Sequence, residues 1–215
     1  MKKTTAAWGA PTPSDATTIL AIANAIAPLE PGVADALLGA MRIQVLRAEE
    51  PLLQLGQEAR HEYFVIAGVL RSWVGDAAGR EVTLDFSVGP GILWPAIVRA
   101  SGGRSRIHCH ALSGVRVARF EADLLVDLMR TVANAQCWGD AVLRAELMRR
   151  VDREWALAAL SATQRLAQFR QQFPGLEGSI AQHHIASYLG VTPVSLSRLK
   201  AKERVQPRAP GAGRA

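Results

Sequence analysis

The spacing of apolar residues changes twice along the chain, and each change indicates a different kind of secondary structure. The segments from Asp15 to about Leu29 and at 32–41 carry apolar residues at helical spacing. From there to Phe120 the apolar runs are short and rich in β-branched and aromatic residues. After Phe120 a helical period of about 3.6 residues returns. This order predicts an α+β protein with helices on both sides of a β-rich segment.

Seven short runs of β-forming residues fill the middle of the chain, separated by Gly, Pro, Asp and charged residues. They are IQVLR, PLLQLG, EYFVIAG, VLRSWVG, EVTLDFS, RIHCHAL and VRVARF. Short strands at this spacing are typical of an all-β sandwich or barrel. The turn from Asp76 to Gly79 predicts a hairpin between two of them.

The segment VANAQCWGDAVLRAELMRRVDREWALAAL contains no proline and predicts one long helix over 131–160. Leu143, Leu147 and Val151 form one apolar stripe of this helix. The neighbouring stripe consists of Trp138, Val142, Ala145, Met148, Asp152 and Trp155. Two stripes are more than one small β-domain needs, so we predict a homodimer whose interface is this helix. The alternative is a helix that packs only within its own chain.

The residues from 161 to 204 predict a helix-turn-helix domain. Ser161 and Gln164 form a capping-box pattern at the start of one helix. Further on, AQHHIASYLG ends in Gly190, the residue type that most often terminates a helix in the left-handed conformation. Thr192 can cap a second helix, and Pro193 suits its first position. Two short helices joined by such a turn form a helix-turn-helix.

The second helix of this motif, VSLSRLK, carries hydroxyls and cations that can donate hydrogen bonds to phosphates and base edges. Arg198 is the candidate for a guanine or phosphate contact, and Ser195 for a base edge. The full set of predicted DNA-binding residues is His183, Thr192, Ser195, Ser197, Arg198, Lys200 and Lys202. Val194 is a candidate for contact with a thymine methyl group.

Charge is distributed unevenly along the chain. Residues 1–160 contain 17 Lys and Arg and 17 Asp and Glu, whereas residues 161–215 contain 8 and 2. The whole net charge of +6 therefore belongs to the helix-turn-helix region and the C-terminal tail. Excess positive charge there favours contact with phosphates, although a basic tail without a specific role would account for part of it.

The sequence contains no targeting signal and only two cysteines. The chain has neither a run of roughly 18 apolar residues nor the apolar core of a secretory signal, so we expect a cytoplasmic protein with no membrane partner. Cys109 and Cys137 are too few for a disulfide framework, and we expect both to be reduced core residues.

The order of β-barrel, long helix and helix-turn-helix resembles the Crp/Fnr superfamily of bacterial transcription regulators. The resemblance begins near residue 30 and rests on LLQLGQEARHEYFVIAGVLRSW, GDAAGREVTLDF, ALSGVRVARF, LSATQRL and IASYLGVTPVSLSRLK. It implies a cyclic-nucleotide-binding-like barrel of the double-stranded β-helix or jelly-roll type over 15–130. It also implies a homodimer that binds double-stranded DNA, with RNA polymerase as a further partner.

The family's cyclic-nucleotide cassette is altered here. Members that bind cyclic AMP hold the ribose with a Gly-Glu turn and the phosphate with an Arg-Ser or Arg-Thr pair. In this chain the turn reads GILWPAIV, so Trp94 and Pro95 stand near those positions and the carboxylate is absent. Arg104 and Ser105 form a pair about one residue out of register, and Arg106 could occupy the space instead. We take Trp94, Arg104, Ser105 and Arg106 as candidate ligand residues and expect no cyclic-nucleotide cofactor.

Haem or metal binding would need the histidines near Cys109. His108 and His110 share one face of a predicted strand and Cys109 points to the other, so the three cannot meet one metal ion. We therefore expect no metal and no haem cofactor. The prediction is a buried cysteine between two partly exposed histidines.

Taken together, the residues predict a homodimeric, sequence-specific transcription regulator and no enzyme. Glu81 and Asp85 alternate in a predicted hairpin and are expected to face solvent rather than act as an acid and base pair. Residues 1–14 are expected to be a flexible arm, and 205–215 a flexible basic tail in place of the family's β-hairpin wing. The alternative function is a small-ligand sensor, for a cyclic nucleotide or haem, that acts through a protein partner and retains a vestigial helix-turn-helix.

Overall fold

The computed structural model describes residues 8–76 and 78–205, with the side chains of residues 204 and 205 left out. The chain divides into two compact units, and the boundary between Asp152 and Arg153 falls inside a long helix. Within the described residues, no helix combines the length and the hydropathy that a membrane span requires. Most of the expected C-terminal tail and the first half of the expected N-terminal arm lie outside the described residues.

Ten strands form the β-rich part of the N-terminal unit. They are β1 Arg42–Leu46, β2 Pro51–Leu53, β3 His61–Ala67, β4 Val69–Gly75, β5 Glu81–Val88, β6 Gly91–Ile92, β7 Ala100–Ser101, β8 Arg104–Ser105, β9 His108–Ala111 and β10 Val115–Glu121. One sheet has the order β1-β10-β3-β6 and a second the order β2-β9-β4-β5, and all pairs are antiparallel. The predicted hairpin at Asp76 to Gly79 is confirmed as the connection from β4 to β5.

Nine helices surround or follow the strands in the described residues. They are α1 Pro13–Ile26, α2 Pro31–Ala40, α3 Ala96–Arg99, α4 Ala122–Thr131, α5 Ala133–Ala159, α6 Ala162–Gln172, α7 Leu176–Ser179, α8 Gln182–Leu189 and α9 Pro193–Val205. The predicted long helix corresponds to α5, and the two predicted N-terminal helices correspond to α1 and α2.

The first sheet is buried on both of its faces, which explains why β3 has no alternation of polar and apolar residues. Val65 and Val117 point to the second sheet and pack with Leu70 in one core cluster. Phe64 and Phe120 point the other way, into a second cluster with the helices. That second cluster contains Ile19 and Ile22 of α1, Leu37 of α2 and Trp138 of α5. A strand buried on two sides reads as a continuous apolar run.

The described residues before α1 are attached to the barrel, contrary to the expectation of a flexible arm at those positions, and residues 1–7 of that expected arm lie outside the described residues. The amide of Ile43 donates to the carbonyl oxygen of Gly9 at 2.7 Å, and α1 begins at Pro13. Asp15 forms a capping box with Thr12 and accepts two hydrogen bonds of 2.7 Å from Arg116 in β10. The Arg116 guanidinium holds the pKa of the Asp15 carboxyl well below its usual range.

The C-terminal unit is a small helical domain with its own core. Leu166 and Phe169 of α6, Ile185 and Leu189 of α8, and Leu196 of α9 are each at most 1% exposed. The predicted capping box at Ser161 is confirmed, since its hydroxyl accepts from the amide of Gln164 and the Gln164 side chain accepts in return.

Gly68, in the turn between β3 and β4, lies close to the backbone of a neighbouring segment of the barrel, and a substitution can test this close approach. Gly68 has a φ of +88°, and a Cβ there would lie 2.2 Å from the carbonyl oxygen of Gly114. Backbone cannot yield as a side chain can, so we expect Gly68→Ala to lower the free energy of unfolding by about 3 kcal/mol or more. The measurement is urea unfolding followed by circular dichroism.

Gly79→Ala is the matched control for this substitution. Gly79 has a φ of +76°, but no described atom lies within 4 Å of the added Cβ. Only left-handed strain remains there, at about 1 kcal/mol. Equal losses of stability in the two variants would contradict the close approach at Gly68.

Candidate nucleic-acid interface

The turn between α8 and α9 adopts the geometry that the sequence predicts. Gly190 has a φ of +66°, and its amide donates back to the carbonyl oxygens of Ala186 and Ser187. The amide of Val191 also donates to Ala186, at 3.0 Å. Glycine adopts this left-handed conformation without steric cost, and the turn redirects the chain within three residues.

Helix α9 begins with a polar cap. The hydroxyl of Thr192 accepts from the amide of Ser195 at 3.1 Å and hydrogen-bonds to the Ser195 hydroxyl at 2.9 Å. Pro193 occupies the first helical position, as predicted. Both hydroxyls therefore stabilise the start of the helix, and a contact between either one and DNA would have to be made in addition to the cap.

One surface of α9 is exposed along its length, and we call Val194, Ser197, Arg198 and Lys202 the recognition face. These residues are spaced by three and four positions, so they share one side of the helix. Val194 is 60% exposed, whereas Leu196 on the opposite side is 1% exposed. Within the described residues neither Arg198 nor Lys202 forms an ion pair, so both cations are available to phosphate or base.

Lys200 takes part in polar contacts within its own domain. Its ammonium lies 2.8 Å from a carboxylate oxygen of Glu177 and 2.8 Å from the side-chain oxygen of Gln182. Glu177 also pairs with Arg170, which in turn contacts Glu203 of α9 at 2.8 Å. Lys200 therefore braces α9 against α7 and α8, and its contact with DNA stays a prediction.

His183 lies on the exposed side of α8, next to a buried neighbour. Its ring centroid is 3.9 Å from that of His184, which is 8% exposed. The His183 imidazole is exposed on α8, the helix that precedes the recognition helix, so it is accessible to a phosphate. The contact itself stays a prediction.

The long helix α5 does not present the whole predicted stripe to a partner. Trp138 is 3% exposed and donates its indole N–H to the carbonyl oxygen of Ala23, and Val142 belongs to the same core cluster. These two side chains are buried against the barrel of their own chain, so they are not accessible to the partner that the sequence predicted for them. Ala145, Met148, Asp152 and Trp155 are exposed, as are Leu147 and Val151.

The four predicted ligand residues do not converge. Trp94 is 6% exposed and donates its indole N–H to Asp85 at 2.6 Å. Arg104 is exposed and donates to the carbonyl oxygen of Gly56, and Ser105 is buried and donates to that of Ile107. Arg106 is exposed. These four side chains therefore do not form one cluster, and the absence of a cyclic-nucleotide cofactor stays a prediction.

A buried polar cluster that sequence reasoning missed takes the place of that cassette. Asp85 is 2% exposed instead of facing solvent, and it accepts a 2.7 Å hydrogen bond from Arg149 of α5. Glu146 contacts both Arg149 and Arg150, and the Arg150 guanidinium lies 3.9 Å from the Trp94 ring centroid. The shift of register between β4 and β5 breaks the strict alternation that predicted an exposed Asp85.

The histidines of β9 surround a buried cysteine, as predicted. Cys109 is 0% exposed, and burial raises its pKa to about 12. His108 stacks on Trp73 with ring centroids 4.2 Å apart, and His110 accepts a hydrogen bond from the Trp73 indole. Cys137, in contrast, is exposed on α5 instead of lying in the core. Within the described residues, no group of three His, Cys, Asp or Glu is arranged to hold a metal ion.

Known structures resemble this arrangement throughout most of the chain. FixK2 from Bradyrhizobium japonicum is 19% identical, over 80% of this chain and 88% of its own, with a TM-score of 0.67. CLP from Xanthomonas campestris, a c-di-GMP responsive global regulator, is 16% identical over 86% and 96%, with a TM-score of 0.65. A candidate Crp/Fnr transcriptional regulator from Eubacterium rectale is 15% identical over 82% and 84%, with a TM-score of 0.64.

The chain has the Crp/Fnr fold. The predicted fold class, a cyclic-nucleotide-binding-like barrel, a long helix and a helical C-terminal domain, is thereby confirmed. Neither a protein-family model nor a curated protein sequence matches the chain. One fold supports different functions, so the fold alone does not assign a function to this chain.

The brace around Glu177 predicts a dependence of stability on pH. Hydrogen bonds from the Arg170 guanidinium and then from Lys200 lower the pKa of the Glu177 carboxyl from 4.5 to about 2, although desolvation acts in the opposite direction. A depressed pKa contributes stability above pH 4.5 that is lost as pH falls towards 2.

We expect Glu177→Gln to lower the free energy of unfolding of the helical unit by about 1–2 kcal/mol at neutral pH and to have no effect near pH 2. Urea unfolding at a series of pH values, followed by far-ultraviolet circular dichroism, measures this difference. Glu154→Gln, at an exposed position of α5, serves as the control and should leave the pH dependence unchanged. A Glu177→Gln variant with the same acid transition as the parent protein would exclude the brace as its cause.

Proposed function

We propose that this protein is a sequence-specific, double-stranded DNA-binding transcription regulator of the Crp/Fnr type that acts as a homodimer in the cytoplasm. The observation that carries the proposal is the recognition face, an exposed row of Val194, Ser197, Arg198 and Lys202 on a helix whose opposite side is buried. A rigid helix with a narrow exposed face of donors and one apolar group is suited to the major groove.

Each residue of the recognition face has a defined role in this proposal. Arg198 contacts guanine or phosphate, and Ser197 donates to a base edge or a phosphate oxygen. Val194 meets a thymine methyl group, since its side chain is 60% exposed and cannot form hydrogen bonds. Lys202 and His183 position the helix on the backbone, where donors fix register without reading sequence.

A second copy of the chain is the proposed occupant of the exposed face of α5. Leu147, Met148, Val151 and Trp155 are 62%, 55%, 49% and 56% exposed, which is unusual for four large apolar residues on one helix. Pairing of two such helices would bury them and relate two recognition faces by a two-fold axis. We therefore expect a palindromic site with half-sites about 34–36 Å apart.

We propose that regulation does not use a cyclic nucleotide in the predicted cassette. Asp85, Trp94 and Arg149 satisfy one another there, and a nucleotide would have to break the 2.6 Å and 2.7 Å hydrogen bonds that join them. RNA polymerase is a partner in this proposal only as the enzyme that a DNA-bound regulator would recruit or block.

Removing the Arg198 guanidinium should weaken DNA binding. We expect Arg198→Ala to lower affinity for random duplex DNA and to reduce the slope of log affinity against log salt by about 1 if the arginine contacts phosphate. If Arg198 reads guanine, the slope stays and discrimination among sequences falls by about 1–3 kcal/mol. Fluorescence anisotropy over a salt series separates the two results.

Arg130→Ala is the matched control, because Arg130 is an exposed arginine of the N-terminal unit and its removal changes the net charge equally. It should leave both the affinity and the salt slope unchanged. Equal effects of the two substitutions, or DNA binding that does not respond to salt, would count against the recognition face.

A charge on the exposed face of α5 should separate the dimer. We expect Met148→Glu to raise the dissociation constant of the dimer at least tenfold, about 1.4 kcal/mol, because a carboxylate would be buried without a partner. Leu55→Glu introduces the same charge at a residue that is also 55% exposed but lies in the barrel. Sedimentation equilibrium measures both variants, and a dimer unaffected by Met148→Glu would contradict the proposed interface.

A further inference from the structure

A cavity of about 190 Å³ lies in the N-terminal unit beside the altered cassette turn, since Leu93, Pro95, Ala96 and Ile97 line it. Its walls come from β3, β6, the end of β10 and the helices α3, α4 and α5. Among its described lining residues are none of Trp94, Arg104, Ser105 and Arg106. Well-packed protein interiors contain few voids larger than a water molecule, so a space of this size needs an explanation.

The lining is almost entirely apolar. Apart from Glu62 and Tyr63, the described lining consists of aliphatic and aromatic residues, glycine and proline. A water molecule held in such a space needs roughly two to four polar partners. An apolar cavity of comparable size excludes water and accepts small apolar molecules instead.

Helix α4 shows that the chain does not fill this space itself. Its sequence ADLLVDLMRT is strongly amphipathic, yet none of its 10 residues is buried. Leu125, Val126 and Met129 line the cavity, and Leu125 and Met129 also pack against the core cluster, so the apolar face of α4 is covered only in part. An unfilled cavity lowers stability in proportion to its volume, so an occupant would be favoured.

The cavity also has an entrance. Ile97 is 75% exposed and Val126 is 42% exposed, and both belong to the lining. These two side chains mark the side on which the cavity meets solvent. A ligand can therefore enter between α3 and α4 without unfolding of the barrel.

One polar group is placed to orient a ligand. The Glu62 side chain is 16% exposed and lies on the cavity wall, where its two carboxylate oxygens accept from the amide of Ala96 at 2.9 and 3.0 Å. A carboxylate offers about four lone-pair positions, so Glu62 retains the capacity to accept from a ligand. Arg99 lies 3.7 Å from the same carboxylate, so it is the apolar remainder of the lining that disfavours an anion.

We propose that this cavity binds a small uncharged molecule with an aromatic or alkyl body and at most one hydroxyl or amine donor, which Glu62 accepts. The cavity is concave and bounded by six elements, so it is too narrow for a helix of about 10 Å diameter from a second protein. A second copy of the chain has its own exposed surface on α5, at Leu147, Met148 and Trp155. Neither DNA binding nor the dimer is required for the proposal.

Three matched probes test the proposal on the full-length protein. Naphthalene has only the apolar body, naphthol adds one hydroxyl donor, and naphthalene sulfonate adds an anion. We expect saturable binding of the two neutral probes, with naphthol the tighter, and at least tenfold weaker binding of the sulfonate. Probe fluorescence and isothermal titration calorimetry give independent readouts.

Two substitutions locate the binding site. Val126→Trp fills the entrance and should weaken naphthol binding at least tenfold, and Ala96→Leu should do the same from the opposite wall. Val45→Trp places the same bulk at a valine that is 59% exposed and outside the lining, and should leave binding unchanged. Circular dichroism establishes that each variant is folded.

Several results would overturn the proposal. One is the absence of saturable binding of either neutral probe to the folded protein. Another is equal binding by the Val45→Trp variant and the two cavity variants. Loss of naphthol binding at protein concentrations where a dimer forms would assign the cavity to a second copy of the chain instead.

Discussion

The burial of both faces of the sheet β1-β10-β3-β6 is the constraint on which the N-terminal unit depends. Its inner face, with Val65 and Val117, is covered by the second sheet, whereas Phe64 and Phe120 on the outer face can be covered only by helices. Full burial of such a side chain contributes about 1.5–3 kcal/mol, so exposing the outer face would outweigh the stability of a typical domain. The first turns of α5 therefore belong to the barrel, through Trp138, and cannot also form an interface.

Helix α5 also contacts the barrel through a polar cluster next to β5. Asp85 and Glu146 together face Arg149 and Arg150, so two negative charges meet two positive ones, and Trp94 accounts for the second oxygen of Asp85. A buried pair of this kind is costly to break from one side, because the remaining charge loses its partner. The turn that supplies a carboxylate to a ribose in a nucleotide cassette here supplies an indole to the protein's own aspartate. The link between barrel and α5 on this side is thus built from side chains.

Local patterns predicted the elements well, because their causes are local. The capping box at Ser161, the left-handed Gly190 and the cap at Thr192 each depend on residues within a few positions, and all were readable from the sequence. The burial of Asp85 was not, since it depends on a register shift between two strands and on an arginine 64 positions away. Likewise, helical spacing placed Trp138 on the same stripe as Met148 but could not show that the barrel covers only the first of them.

The contacts of the cations in the helical unit also could not be predicted from local patterns. They determine how many of the basic side chains are free. Arg165 donates to the carbonyl oxygens of Leu189 and Leu160, and Arg170 and Lys200 are held by carboxylates. These groups stabilise the ends and contacts of the helices, and the charges of Arg170 and Lys200 are balanced by carboxylates of the same domain. The recognition face keeps Arg198 and Lys202 as the exposed, unpaired cations of α9 within the described residues. A composition rich in arginine and lysine therefore overstates the number of cations that are free to contact a phosphate, because much of that charge holds α9 in place.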